Sequence, residues 1–136
     1  MNDRRNRWQD NFRKNPEDSY CIYQLRRDPK LAKIRFMNFA YLRKHGLEPA
    51  FENYEAVYSG KLDCTDSTNA MLEDLYVRFN LDQPQDFTGC CVSVSDVIAL
   101  KQNGAVSYHY VDSIGFSQVP YFDPEFCEEG FAHAEV

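Results

Sequence analysis

The 136-residue sequence has no apolar run approaching the ~20 residues that a membrane span requires, although 43% of its residues are hydrophobic. It has no glycine-rich phosphate loop, no HExxH and no serine elbow, so the commonest signatures of nucleotide, zinc-protease and esterase chemistry are missing. The cysteines Cys21, Cys64, Cys90, Cys91 and Cys127 are odd in number and never spaced C-x-x-C, which argues against a disulfide framework or a zinc site. Adjacent residues on a strand point to opposite faces, so Cys90-Cys91 is also poorly placed to hold one metal, and no metal or cofactor is expected. The basic start, Met1 to Arg7, is followed by no apolar segment, so a secretory signal is not expected and the cytoplasm is the expected location.

The chain does contain a strong turn signal. Asn103-Gly104 separates two runs rich in β-branched and aromatic residues, and the pair supplies both positive-φ positions of a type I′ turn. A two-residue loop fixes the register, which places Gln102 opposite Ala105, Ile98 opposite His109 and Asp96 opposite Val111 on one face. Ala99 then faces Tyr108 and Val97 faces Tyr110 on the other. Both faces carry large apolar groups, so these strands are expected to be central and covered by other elements.

Ser19–Leu25 reads as a strand apolar on both faces, ended by Asp28-Pro29. Ile34-Arg-Phe36 reads as a short second strand. Asn38 is placed to cap a helix through His45, with Gly46 as its terminal glycine. Asn53–Ser59 reads as an edge strand. Leu72, Leu75, Tyr76 and Phe79 make the core stripe of a helix with Glu73, Asp74 and Arg78 outside, closed by Asn80 in the left-handed conformation. That helix is the best cover for one face of the hairpin, and a last short strand stops before Pro120. The expected fold class is α+β, a small mixed or antiparallel sheet with a central Asn-Gly hairpin covered by one or two helices.

Charge is unevenly placed. Residues 1–45 hold 12 of the 15 Lys and Arg beside 5 acids, a net of +7, while residues 46–136 hold 3 bases and 16 acids, a net of −13. Such asymmetry fits either a binding face or two solvated surfaces that fold onto each other. Residues 1–18 read as a basic, flexible arm or a short helix with Trp8 and Phe12 on one side. Residues 123–136, with acids between Phe126 and Phe131, read as an acidic, flexible tail.

Several stretches carry a resemblance. Leu72–Tyr76, Phe79-Asn80, Asp82 and Pro84, Ser93–Ile98, Tyr110–Ser113 and Gly115-Phe116, together with Tyr20–Leu25 and Phe36-Met-Asn38, resemble the YodL-like domain of bacterial proteins over residues 19–122. The resemblance implies a protein of conjugative elements and prophages, and it implies no general activity.

Asp96 and His109 are the acid and base on one hairpin face, diagonal neighbours at about 7–8 Å, whereas Asp112 points to the other face. General acid-base work needs closer partners. Their structural readings are a Ser93-Val-Ser-Asp96 turn into the strand and a half-buried His109 beside Ile98. The leading expectation is therefore a non-catalytic protein-binding module of a mobile element that inhibits a host protein, such as a CRISPR or restriction nuclease, through an acidic surface. Asp82, Asp86, Asp96, Glu128 and Glu129 are the candidate contacts, with Arg4, Arg5 and Arg7 as a basic alternative. A metal-dependent nuclease using Asp96 and His109, or a nucleic-acid-binding accessory protein using the basic first half, are the competing readings.

Overall fold

A computed structural model describes residues 3–63, 67–87, 89–120 and 122–123, with side chains from residue 7 onward. The elements are α1 (Asp3–Lys14), β1 (Ser19–Leu25), α2 (Phe39–Lys44), β2 (Tyr54–Lys61), α3 (Thr68–Leu81), β3 (Val97–Gln102), β4 (Ala105–Val111) and β5 (Phe116–Gln118). The five strands form one antiparallel sheet in the order β2-β1-β3-β4-β5. The fold is thus α+β, with helices on both faces of a single sheet. Among the described residues no helix is long and apolar enough to cross a membrane.

Alternation along the strands separates two cores. Cys21, Tyr23, Val97, Ala99, Tyr108 and Tyr110 face one side, where Trp8 and Phe12 of α1, Leu31, and Leu42 of α2 cover them. Tyr20, Ile22, Ile98, Leu100 and Val111 face the other, beneath Met71, Leu72, Leu75 and Phe79 of α3. Every residue of β1 is buried. Phe122 closes the first core, its ring 5.1 to 5.4 Å from those of Tyr23, Phe51, Tyr54 and Tyr108.

β3 and β4 pair with Gln102 opposite Ala105 and Ile98 opposite His109, the register that a two-residue connection imposes. Asn103 and Gly104 between them have φ of 53° and 85°. Asn38 caps α2 by accepting from the Tyr41 N–H at 2.8 Å, and Gly46 at φ 68° ends it. There the Leu47 N–H reaches back to the Leu42 carbonyl at 2.8 Å, satisfying a terminal carbonyl. Ser67 caps α3 through the Ala70 N–H.

Three local expectations are corrected. Ile34-Arg-Phe36 is not a strand: N–H groups of Ile34 and Met37 bond carbonyls three residues back, and Phe36 sits at φ 70°. The core stripe of α3 includes Met71 in place of Tyr76, which is 38% exposed. Asn80 does not end α3, which runs to Leu81 with Asp82 as its C-cap. Its side chain instead donates to the carbonyls of Tyr76 and Val92, tying the following loop to the helix.

Of the two states open to the basic N-terminal stretch, the helix is present over Asp3–Lys14. Trp8 and Phe12, one helical turn apart, are both buried in the first core. Its C-terminal end is held from the sheet: Lys101, 5% exposed, donates from Nζ to the carbonyls of Phe12 (2.6 Å), Arg13 (3.2 Å) and Asn15 (2.6 Å). A cation at this position satisfies carbonyls that the helix cannot and complements the negative end of its dipole.

Candidate functional site

Asp96 stands where the chain turns into β3. Ser95 at φ 89° makes the bend, the Asp96 N–H bonds the Ser93 carbonyl at 3.1 Å, and the Ser93 N–H returns to Asp96 Oδ2 at 2.9 Å. Gln24 of β1 donates to the same carboxylate oxygen at 3.1 Å. Its amide also holds Cys90 in both directions, donating to the Cys90 carbonyl at 2.8 Å and accepting the Cys90 N–H at 3.1 Å. One side chain thus fixes both the acid and the loop over it.

That loop and the 26–36 segment enclose a cleft of about 80 Å³ above Asp96, rimmed by Arg27, Arg35, Cys90 and Cys91. A space of this size admits a few water molecules. Burial pushes the Asp96 carboxyl up to about 7, against the opposing effects of the Ser93 N–H, Gln24 and Arg35. Cys90 and Cys91 lie outside any strand and are exposed, with Arg27 Nη2 2.7 Å from Cys90 Sγ and Gln83 Nε2 3.5 Å from Cys91 Sγ. Cys64 and Cys127 lie outside the described residues.

His109 shares the sheet face of Ile98, as the register requires. It is 7% exposed, its Nε2 lies 2.8 Å from Ser107 Oγ, and burial lowers it to about 4. It is therefore neutral at pH 7. Asp96 and His109 are not hydrogen-bonded to each other, each being held by its own partners. Asp112, on the opposite face, accepts from the Phe39 and Ser113 N–H groups and the Ser117 hydroxyl. Partial burial works to raise its pKa, but these donors outweigh that and hold it below the usual carboxylate range. Among the described residues no cluster of three or more His, Cys, Asp or Glu is placed to hold a metal ion.

The candidate acidic contacts separate on burial. Asp82 and Asp86 are exposed on the loop after α3, where Asp86 also accepts from the Tyr58 hydroxyl at 2.8 Å. Asp96 is 6% exposed and enclosed, so its carboxylate cannot serve as a surface contact. Glu128 and Glu129, and the side chains of Arg4 and Arg5, lie outside the described residues. Arg7 is exposed with its guanidinium 4.6 Å from the Trp8 ring centroid.

Sequence reasoning passed over what accompanies Asp82. Glu73, Asp74, Tyr76, Val77 and Leu81 are all exposed on α3, with Val77 at 51% and Leu81 at 81%. Val77 and Leu81 are four residues apart, so they form a second apolar stripe beside the acids. That spacing was the available signal. It was masked because Tyr76 could be assigned to either stripe from sequence.

Charge now has a spatial meaning. Arg7, Arg13 and Lys14 of α1 and Arg43 and Lys44 of α2 belong to the layer over the first core, whereas Arg27 and Arg35 rim the Asp96 cleft. Glu73, Asp74, Asp82 and Asp86 belong to the layer containing α3, over the second. The sheet thus separates the carboxylates of α3 and its following loop from the cations of α1 and α2.

These features define a small α+β domain with a basic layer, an acidic layer and a small cleft over a buried acid between strand ends. The model of the YodL-like domain matches residues 19–122, and the chain belongs to that family. No curated protein and no solved structure matches it.

Proposed function

We propose that this chain is a non-catalytic protein-binding module that engages a basic, nucleic-acid-binding partner through the outer face of α3. The observation that carries the reading is the juxtaposition of exposed Val77 and Leu81 with the exposed carboxylates of Glu73, Asp74 and Asp82. An apolar centre with a charged rim is the usual anatomy of a protein interface. Carboxylates around it can occupy positions that phosphates take on a basic groove. In its specific form the partner is a host defence nuclease, CRISPR or restriction, blocked on behalf of a mobile element. Asp86 extends the rim, and the α1 face is the alternative contact.

The reading is tested by affinity capture from host lysate across a salt series, followed by nuclease inhibition with the captured protein. Wild type should retain a nucleic-acid-binding protein at low salt, and both Val77→Asp with Leu81→Asp and Glu73→Lys with Asp82→Lys should release it. Inhibition indifferent to salt and to both pairs of changes rejects the α3 face. Cleavage of plasmid or guide RNA by the isolated protein, abolished by Asp96→Ala or His109→Ala, replaces binding with nuclease catalysis.

A further inference from the structure

The end of α1 and the adjoining ends of β1 and β2 surround a second cleft of about 420 Å³, lined by Asn11, Lys14, Asn15, Ser19, Ser59 and Lys61. Its volume lies within the range of small-molecule sites. It is separate from the α3 surface, and no acidic side chain lines it. Its floor follows from sheet register. Ser19 is paired with Lys61 on β2 and with Lys101 on β3, so the three side chains form a row on the face beneath α1.

The members of that row are differently employed. Lys101 is consumed in holding the carbonyls at the end of α1. Lys61, like Lys14 across the cleft, is exposed and forms no ion pair among the described residues. Ser19 is 1% exposed, and its hydroxyl has no hydrogen-bond partner. An orphaned buried hydroxyl carries a desolvation penalty that packing does not repay. Two uncommitted ammonium groups, amide and hydroxyl donors and an orphaned donor together ask for an anion with several acceptor oxygens.

We propose that this cleft binds a small phosphomonoester, whose dianionic head lies between Lys14 and Lys61 and whose oxygens reach the Ser19 hydroxyl. A phosphate head supplies three acceptors and up to two negative charges, matching two lysines and the hydroxyl. An extended polyanion fits less well. Two residues beyond the lining positions Asn15 and Lys61 stand the exposed acids Glu17 and Asp63, which would repel a continuing phosphate backbone.

The test is an amide chemical-shift titration of the full chain with adenosine 5′-monophosphate, inorganic phosphate and adenosine, with sodium chloride holding ionic strength constant. The monophosphate should give saturable shifts at Asn11, Asn15, Ser19 and Lys61, inorganic phosphate weaker shifts at the same amides, and adenosine none there. Lys61→Ala and Ser19→Ala should each weaken monophosphate binding about tenfold or more, the value of a hydrogen bond to a charged group. Without ligand, Ser19→Ala should melt no lower than wild type, because it removes an unsatisfied group. The proposal is overturned by an absence of saturable shifts, by shifts unchanged in Lys61→Ala, or by equal shifts from adenosine. It is equally overturned if Ser19→Ala strongly destabilises the free protein, or if an RNA oligonucleotide binds these residues more tightly than the monophosphate.

Discussion

Arg13 donates from Nη2 to the carboxylate of Asp123, across 110 residues of sequence. Asp123 is fully buried and Arg13 is one-quarter exposed, so the first helix and the last described residue are joined by a pair that is sealed on one side. Removing the guanidinium takes a charged partner from a buried carboxylate. Arg13→Ala should therefore cost about 3 kcal/mol, the lower end for a broken buried pair because Arg13 keeps some solvent. Urea unfolding with an unchanged midpoint would show that Asp123 does not depend on Arg13.

Asp96 and His109 should give opposite pH dependences. Burial raises Asp96 to about 7, so its contribution to stability is fully present below the carboxylate's unfolded value and is lost as pH rises through 7. Burial lowers His109 to about 4, so the folded state resists its protonation and stability falls as pH drops from about 6.5 towards 4. The two slopes oppose each other between those limits. Asp96→Asn should unmask a stability that rises with pH in this window, and His109→Gln one that falls. Melting curves of both variants that parallel wild type from pH 4 to 7 would refute the assignments.

The two stripes of α3 predict different costs. Leu75→Ala should destabilise by about 2–5 kcal/mol and Phe79→Ala by about 3–5, since both are buried over the second core. Val77→Ala and Leu81→Ala should stay within about 0.5 kcal/mol, as exposed positions do. Comparable losses at all four would mean that the outer stripe is covered in the free protein.

Replacing Asn103 and Gly104 together by valine forces β-branched residues into φ of 53° and 85°. Left-handed backbone costs an L-residue roughly 1–2 kcal/mol, so the double change should lose about 2–4 kcal/mol in denaturant titration. Retained stability would mean that the turn adopts another conformation at no cost.

Much of this architecture was legible from short-range rules. Asn38 caps its helix through an N–H group three residues ahead, and Gln102 faces Ala105 across two intervening residues, so each needs only local chemistry. What escaped was decided across the chain. Lys101 reaches Phe12 and Asn15, Gln24 selects Asp96, and Phe122 enters the ring cluster around Tyr23, none of which has a local signature. Tyr76 shows the same limit: its spacing admitted it to the core stripe, but the position of the sheet admitted Met71 instead. For the candidate site, Asp96 was legible as a turn residue, while its enclosure by Gln24 and the Cys90 loop was not.

The separation of the α1 and α2 cations from the α3 carboxylates gives the described domain a charge asymmetry across the sheet. In the field of a charged partner such a body experiences a torque before any surfaces touch, so it arrives turned with one layer forward. Orientation of this kind shortens the rotational search that otherwise slows docking of specific patches. Among the described residues, α3 and the loop after it carry Glu73, Asp74, Asp82 and Asp86 beside Arg78, while α2 ends on Arg43 and Lys44, so opposite aspects of one small domain differ in sign.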